Sequence, residues 1–258
     1  TYTQVLADAY SVVRFAAEGD LSAIAAADAS LAGLAFDRDA IFYIGNSFGT
    51  SEGGVLVAAE PELDAVILNV PGGSFMESIA GGARFRELVT AVLPLWGIRG
   101  EVDDVSRRLL LEPMLDMAEW TIQGIDARVL APQALREPMI DGPSPDLLLQ
   151  LAELDDFLPI WGGQSLARAF GAERIGPFDF VSGVGGAALP VSANLATPAG
   201  AVTAVAHLYE DTGHVFIGYN TADILFMEPI VPPFVPLAMP RIVTNPTAEA
   251  HLEIRQFL

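Results

Sequence analysis

Short apolar runs bounded by glycine, proline and acidic residues alternate along this chain with longer segments whose apolar positions recur every three or four residues. Tyr2 to Ala17 carries Val5, Ala9, Val12, Val13 and Ala16 at helical spacing, and Gly19-Asp20 breaks the pattern. Leu21 to Leu34 reads as a second, Ala-rich helix with Ser22 as its cap. Ile41-Phe42-Tyr43-Ile44 reads as a buried strand and Thr50 to Ala59 as a helix stopped by Pro61. Leu63 to Val70 is a second buried strand, ended by Pro71-Gly72-Gly73-Ser74. Phe75 to Pro145 holds helical segments at 85–95 and 102–120, a loop to Arg136-Glu137-Pro138, and no clear strand. Leu147 to Ala152 is the third strand, and Gly162 to Phe170 is a helix ending at Gly171. Gly171 to Gly200 is rich in Gly, Pro and Ala and reads as irregular, and Ala201 to Glu210 is the fourth strand. Asn245-Pro246-Thr247 opens a closing helix with Ala250, Ile254, Phe257 and Leu258 on one face. Single buried strands separated by helices predict one α/β domain, 1–258, with a mostly parallel sheet flanked by helices.

Composition narrows this picture. The 258 residues are ample for one core, but a hydrophobic share of 52% with mean hydropathy +0.41 is high for a free-standing domain. The excess points to surface covered by another chain. No run of eighteen apolar residues occurs, so no spanning helix is expected. The richest late stretch, 224–240, is cut by Pro229, Pro232, Pro233 and Pro236 and contains Glu228. The formal charge is −20, and every basic residue is Arg. Such an acidic surface argues against nucleic acid or an anionic membrane as a partner. It fits a salt-adapted or secreted protein, extracellular or periplasmic, or an acidic lineage composition. Cysteine is absent, which removes disulfides, thiolate chemistry and zinc–cysteine clusters.

The chemistry concentrates at Gly45-Asn46-Ser47-Phe48-Gly49, a G-x-S-x-G pentapeptide between the Ile41 strand and the Thr50 helix. Strand, sharp turn with serine at its tip, helix is the context a nucleophile elbow needs. The turn strains the serine backbone, so Gly45 and Gly49 on either side must lack bulk, and Gly53 and Gly54 let the helix lie close to the sheet. In these features the chain resembles an α/β-hydrolase of the esterase or lipase type. The resemblance implies an acid a few residues past the third strand, where Asp155 stands, with Asp156 and then Glu153 as rivals. It implies a histidine in a loop directly after the last strand, where Asp211-Thr212-Gly213-His214 stands. The order Ser47, Asp155, His214 is the one this superfamily uses. His207 falls inside the fourth strand and reads as structural, and His251 falls on the closing helix. Ser51 and Ser74 have no elbow around them.

The resemblance also implies a mechanism and a gap. Ser47 attacks the carbonyl carbon, His214 takes and returns the proton, Asp155 orients the imidazole, and Phe48 N–H supplies one oxyanion donor. The second donor normally comes from a loop after an earlier strand, and about half of the sheet normally precedes the elbow. No strand precedes Ile41 here. The expected fold is thus an α/β-hydrolase lacking its N-terminal strands, with 73–145 as cap or lid, and Phe75, Phe85, Leu95, Trp96 and Trp120 as pocket-lining candidates. A second polypeptide, as an N-terminal fragment of the same precursor, is expected to complete the sheet and the oxyanion hole. The expected substrate is a small-molecule or lipid-like carboxylic ester, and no metal or organic cofactor is implied. A serine peptidase on the same fold and a non-catalytic hydrolase-fold scaffold subunit are the alternative functions.

Overall fold

The computed structural model describes residues 2–85, 113, 116–176, 184–214 and 247–258. The strands are β1 (Phe42–Asn46), β2 (Ala65–Asn69), β3 (Asp146–Ala152), β4 (Glu173–Ile175), β5 (Leu195–Thr197), β6 (Gly200–Val202) and β7 (Ala204–Tyr209). Five form one sheet in the order β1-β2-β3-β7-β4, with every neighbouring pair parallel. β5 and β6 pair antiparallel in a separate hairpin. The helices are α1 (Tyr2–Glu18), α2 (Ser22–Ala27), α3 (Phe48–Ala59), α4 (Phe75–Gly81), α5 (Ala127–Leu135), α6 (Ile160–Phe170) and α7 (Thr247–Phe257).

The pleat divides the strand residues between two helical layers. Val66, Leu68, Leu147, Leu149, Leu151, Ala204, Ala206 and Leu208 form one core with α1, α3, α5 and α6. Ile67, Leu148 and Val205 point the other way and pack with Ile254 of α7. Burial on both faces explains why β2 and β3 read as continuous apolar runs rather than alternating ones. α3 approaches β1 and β2 so closely that a Cβ on Gly53 would lie 2.5 Å from Tyr43 and 2.6 Å from Leu68. Gly54 faces another way: its missing Cβ makes room for Ala127 of α5 rather than for the sheet.

Four sequence expectations change. The strand expected at Ile41–Ile44 runs two residues further, to Asn46, and it is only half buried, with Ile44 52% and Phe42 42% exposed. The cause is its place at the sheet edge, where among the described strands it pairs with β2 alone. Leu21 to Leu34 is not one helix. Asp28 takes an extended backbone and accepts from Ser30 N–H, which ends α2 and starts a 3-10 turn at Ala29–Leu31. The loop expected before Arg136 contains α5, capped by Asp126, which accepts from Arg128 N–H at 3.0 Å. The irregular stretch from Gly171 holds β4 and β5, and the fourth strand is split between β6 and β7.

α7 is held to the sheet by polar bonds as well as by Ile254 and Ala250. Glu253 accepts from the Tyr209 hydroxyl and from Gln150 Nε2 at 2.7 Å, and its other oxygen lies 2.8 Å from His207 Nδ1. Gln150 Oε1 in turn accepts from Asn69 Nδ2 at 3.2 Å, so β2, β3, β7 and α7 share one buried network. Burial alone pushes the Glu253 carboxyl up, but its bonds from His207, Tyr209 and Gln150 outweigh burial and hold it below its ordinary 4.5. A carboxylate with a lowered folded-state pKa stabilises the fold above its unfolded pKa and stops doing so as pH falls through the folded value. Glu253→Gln is therefore expected to cost about 1.5–3 kcal/mol at pH 7. The gap to the unmodified chain narrows as pH drops below 4.5. Denaturant unfolding of both proteins at pH 7 and at acid pH measures it.

Candidate active site

The G-x-S-x-G turn sits where β1 ends and α3 begins. Ser47 has φ 55° and ψ −117°, the left-handed region that side chains rarely adopt. Several bonds hold it there. Ser47 N–H donates to Asn69 O at 3.0 Å, Thr50 donates to Ser47 O through both its hydroxyl (2.6 Å) and its N–H (2.9 Å), and the Tyr43 hydroxyl donates to Gly49 O at 2.8 Å. A Cβ at Gly45 would fall 2.5 Å from Gly49 O, so the turn closes only over a glycine there. At Gly49 an added Cβ meets nothing nearer than the Tyr43 hydroxyl at 3.6 Å, an ordinary contact. Of the two flanking glycines, steric need is confined to the first.

β3 and β7 run side by side to the register pair Ala152–Tyr209, and their loops stay bonded past the sheet. Glu153 N–H donates to Tyr209 O, Leu154 N–H donates to Thr212 O at 2.8 Å, and Glu153 Oε2 accepts from Asp211 N–H at 3.0 Å. Those bonds carry Asp155 and His214 to the same point. His214 Nδ1 lies 2.8 Å from Asp155 Oδ2 and 2.9 Å from Oδ1. His214 Nε2 lies 2.6 Å from Ser47 Oγ. An ionised carboxylate only accepts, so the imidazole proton sits on Nδ1 and donates to Asp155, leaving Nε2 to accept from the serine hydroxyl. Asp155 has a side chain only 2% exposed, and its Oδ1 also accepts from Phe157 N–H (2.9 Å) and Leu158 N–H (2.8 Å).

The rivals fall elsewhere. Asp156 turns away to pair with Arg84, Glu153 supports the Asp211 turn, and His207 lies with Glu253 in the α7 network. His251 is on an exposed position of α7, Ser51 lies within α3, and Ser74 is buried 3.4 Å from Glu119 Oε1. Phe48 is the first residue of α3, where backbone N–H groups have no intrahelical acceptor. Its ring lies 5.4 Å from Tyr2 and 5.8 Å from Phe75. The Tyr2 hydroxyl is buried with no hydrogen-bond partner among the described residues, and burial first, then Glu52 and Asp126, push the phenol far up, so it stays protonated. Phe85 meets Phe157 edge-on, Trp120 is 78% exposed, and Leu95 and Trp96 lie outside the described residues. Sequence reasoning passes over Tyr2, Arg84 and Phe157, which only the tertiary structure brings to this end of the sheet. Among the described residues no three His, Asp or Glu side chains gather as a metal site.

A parallel sheet with helices on both faces ends in a serine turn, an acid loop and a histidine loop, at the C-terminal edges of β1, β3 and β7 in that order. This is an α/β-hydrolase fold. No family model and no curated protein matches the sequence. Among solved structures the chain is similar to a puromycin-hydrolyzing peptidase of Mycobacterium tuberculosis, at 16% identity and TM-score 0.40 over 74% of this chain and 21% of that one. It is similar to acetyl xylan esterase 1 from Thermoanaerobacterium sp. JW/SL YS485, at 13% identity and TM-score 0.38 over 71% of this chain and 43% of that one. A third is the alpha/beta hydrolase GrgF from Penicillium sp. sh18, at 13% identity and TM-score 0.30, with 81% and 68% of the two chains covered. The chain thus spans about a fifth of the length of the peptidase.

The asymmetry between the two flanking glycines is testable. Gly45→Ala must push its Cβ into the Gly49 backbone and is expected to cost about 1–3 kcal/mol. Gly49→Ala sits in the first turn of α3 with free space and is expected to be neutral or to stabilise by up to about 1 kcal/mol. Paired thermal or denaturant midpoints measure the contrast.

Proposed function

We propose that the chain is a serine hydrolase that cleaves carboxylic esters, of esterase or lipase type, through an acyl-enzyme on Ser47. The observation that carries this reading is the unbroken bond relay from Ser47 Oγ through His214 to Asp155 beneath a strained serine turn. A serine hydroxyl is a weak nucleophile at neutral pH. As Ser47 Oγ attacks the ester carbon, His214 Nε2 takes its proton, and the imidazolium that forms is stabilised by the buried Asp155 carboxylate. His214 then returns the proton to the leaving alkoxide oxygen, which departs as the alcohol. Water repeats the sequence on the acyl-enzyme and releases the acid. Phe48 N–H is the oxyanion donor from the turn itself. The rings of Tyr2, Phe48 and Phe75 cluster together, Phe48 directly follows Ser47 in the chain, and such an aromatic cluster suits an uncharged, lipid-like acyl group.

A second part of the proposal concerns the open edge. Among the described strands β1 bonds only to β2, it exposes Phe42 and Ile44, and it stands beside a helical layer whose α1 leaves Val12 67% and Phe15 52% exposed. An uncovered apolar edge strand invites pairing. We propose that a further polypeptide strand, as an N-terminal fragment of the same precursor, pairs along β1 and brings the second oxyanion donor. The span 73–145 serves as the cap over the acyl site.

Mass analysis after a fluorophosphonate probe tests the reading. The expected result is one adduct on Ser47 that Ser47→Ala abolishes while the fold persists. An intact chain that never labels even with its completing polypeptide present would favour a scaffold role. Asp155→Asn is expected to lower hydrolysis by about 10⁴-fold, because it changes the imidazole tautomer without moving the ring. Asp156→Asn leaves the relay itself intact and costs far less. Equal losses from the two would overturn the assignment of the acid. Ester turnover well above that of matched amides separates esterase from peptidase in the same assay.

A further inference from the structure

The two residues after the proposed acid are fastened to a segment about seventy positions earlier in the chain. Arg84 Nε bonds Asp156 Oδ2, and Arg84 N–H donates to Asp156 O at 3.0 Å. The Arg84 guanidinium lies 6.0 Å from the Phe157 ring centre, and Phe85 meets the same ring edge-on at 6.2 Å. The backbones nearly touch at Gly82, where a Cβ would fall 2.0 Å from Phe157 O, and at Gly81 a Cβ would fall 2.4 Å from the Trp161 ring. Glycine at 82 allows the end of α4 to lie this close to the acid loop. The ion pair is mostly shielded, with Arg84 15% and Asp156 26% exposed.

Phe157, held in this way, stacks on the imidazole of His214, with ring centres 4.8 Å apart and planes 30° apart. The two hydrogen bonds of His214 lie in the plane of its ring. They fix where the nitrogens are but resist only weakly a swing of the ring out of that plane. A stacked aromatic ring resists the swing, and its negative face favours the imidazolium that forms during attack.

Building on the hydrolase reading above, we propose that Phe157 and Arg84 are positioning residues for the base. Phe157 sets the plane of the His214 ring, and Arg84, through Asp156, sets Phe157. The root of the span that follows β2, residues 82–85, is thereby joined mechanically to the base, and a push on that root moves the imidazole relative to Ser47.

The test uses the full chain and the fluorophosphonate labelling rate of Ser47, measured well below each variant's unfolding midpoint. Phe157→Leu keeps an apolar side chain but removes the ring, and it is expected to slow labelling about 10–100-fold, the scale of a small misplacement of catalytic groups. Phe157→Tyr keeps the ring and recovers at least part of the rate. Arg84→Gln gives a smaller loss in the same direction, and the double variant loses less than the product of the two, since both act through one contact. The low-field proton resonance of His214 Nδ1–H reports the ring itself. It is expected to shift or broaden in Phe157→Leu and to return in Phe157→Tyr, a change that loop packing alone would not cause. Wild-type labelling with an equal rate and an unmoved resonance in Phe157→Leu overturns this inference. Absence of wild-type labelling with the completing polypeptide present instead overturns the hydrolase reading on which it rests.

Discussion

Ser47 occupies a backbone conformation that costs an ordinary residue on the order of 1–3 kcal/mol, and the elements around it are arranged to hold it there. The strand below cannot relax because its last residues are in register with Asn69, whose carbonyl takes the Ser47 N–H. The helix above cannot back away because Tyr43 bonds Gly49 and Gly53 rests on Tyr43 and Leu68. Strain does not stop at the serine. Val70, the position beside Ser47 in the next strand, also has positive φ, at 49°, although it is β-branched. Its N–H is held by Gln150 O. Two adjacent strands of the sheet therefore end in disfavoured conformations at the same level, and both are over-determined by bonds to the strand beyond.

That shared level ties the chemistry to the far layer of the molecule. Asn69 and Gln150 are both fully buried, with their carbonyls bonded to the ends of the strained turns and their side chains bonded to each other. From Gln150 the path continues to Glu253 and His207. α7 is thus the last support of a floor on which the serine turn stands. The acid and histidine loops have their own support, the bonds from Glu153 and Leu154 to Tyr209 and Thr212, so the halves of the relay are braced separately.

Much of this was legible from residue patterns. Glycine at 45, an apolar run before it and a stop at Pro61 placed the serine turn, because strand, turn and helix each leave a local mark. The buried strands β2 and β3 were equally plain, since burial on both faces removes polar residues altogether. The stacking of Phe157 and the ion pair of Arg84 were not legible. They join residues 57 and 72 positions apart, and an aromatic or an arginine has the same local appearance whether it packs or is solvated. α5 is hard to read from sequence because it carries Pro132 in its interior, and it forms because Asp126 caps it and Ala131 and Leu135 anchor it in the core. The choice between Asp155 and Asp156 is a matter of side-chain direction. Two N–H groups turn the first toward His214, and Arg84 draws the second away.

The strand order carries a consequence for how such a chain assembles. Among the described strands β4 pairs with β7 alone, and β7 enters between it and β3 although it comes later in sequence. Before β7 is made, the described backbone partner of β4 is the short stretch at Gly186, where Arg174 N–H donates to Gly185 O and Arg174 O accepts from Ala187 N–H, and the described sheet closes by intercalation rather than by growth at an edge. His214 follows β7 by only a few residues. A ribosome-bound chain can shape its serine turn early, from β1, α3 and β2 alone, but it acquires the base only when that late strand is in place. Until then Ser47 lacks the imidazole that lies against its hydroxyl in the finished fold, so in the proposed hydrolase the order of synthesis withholds the base until β7 is in place.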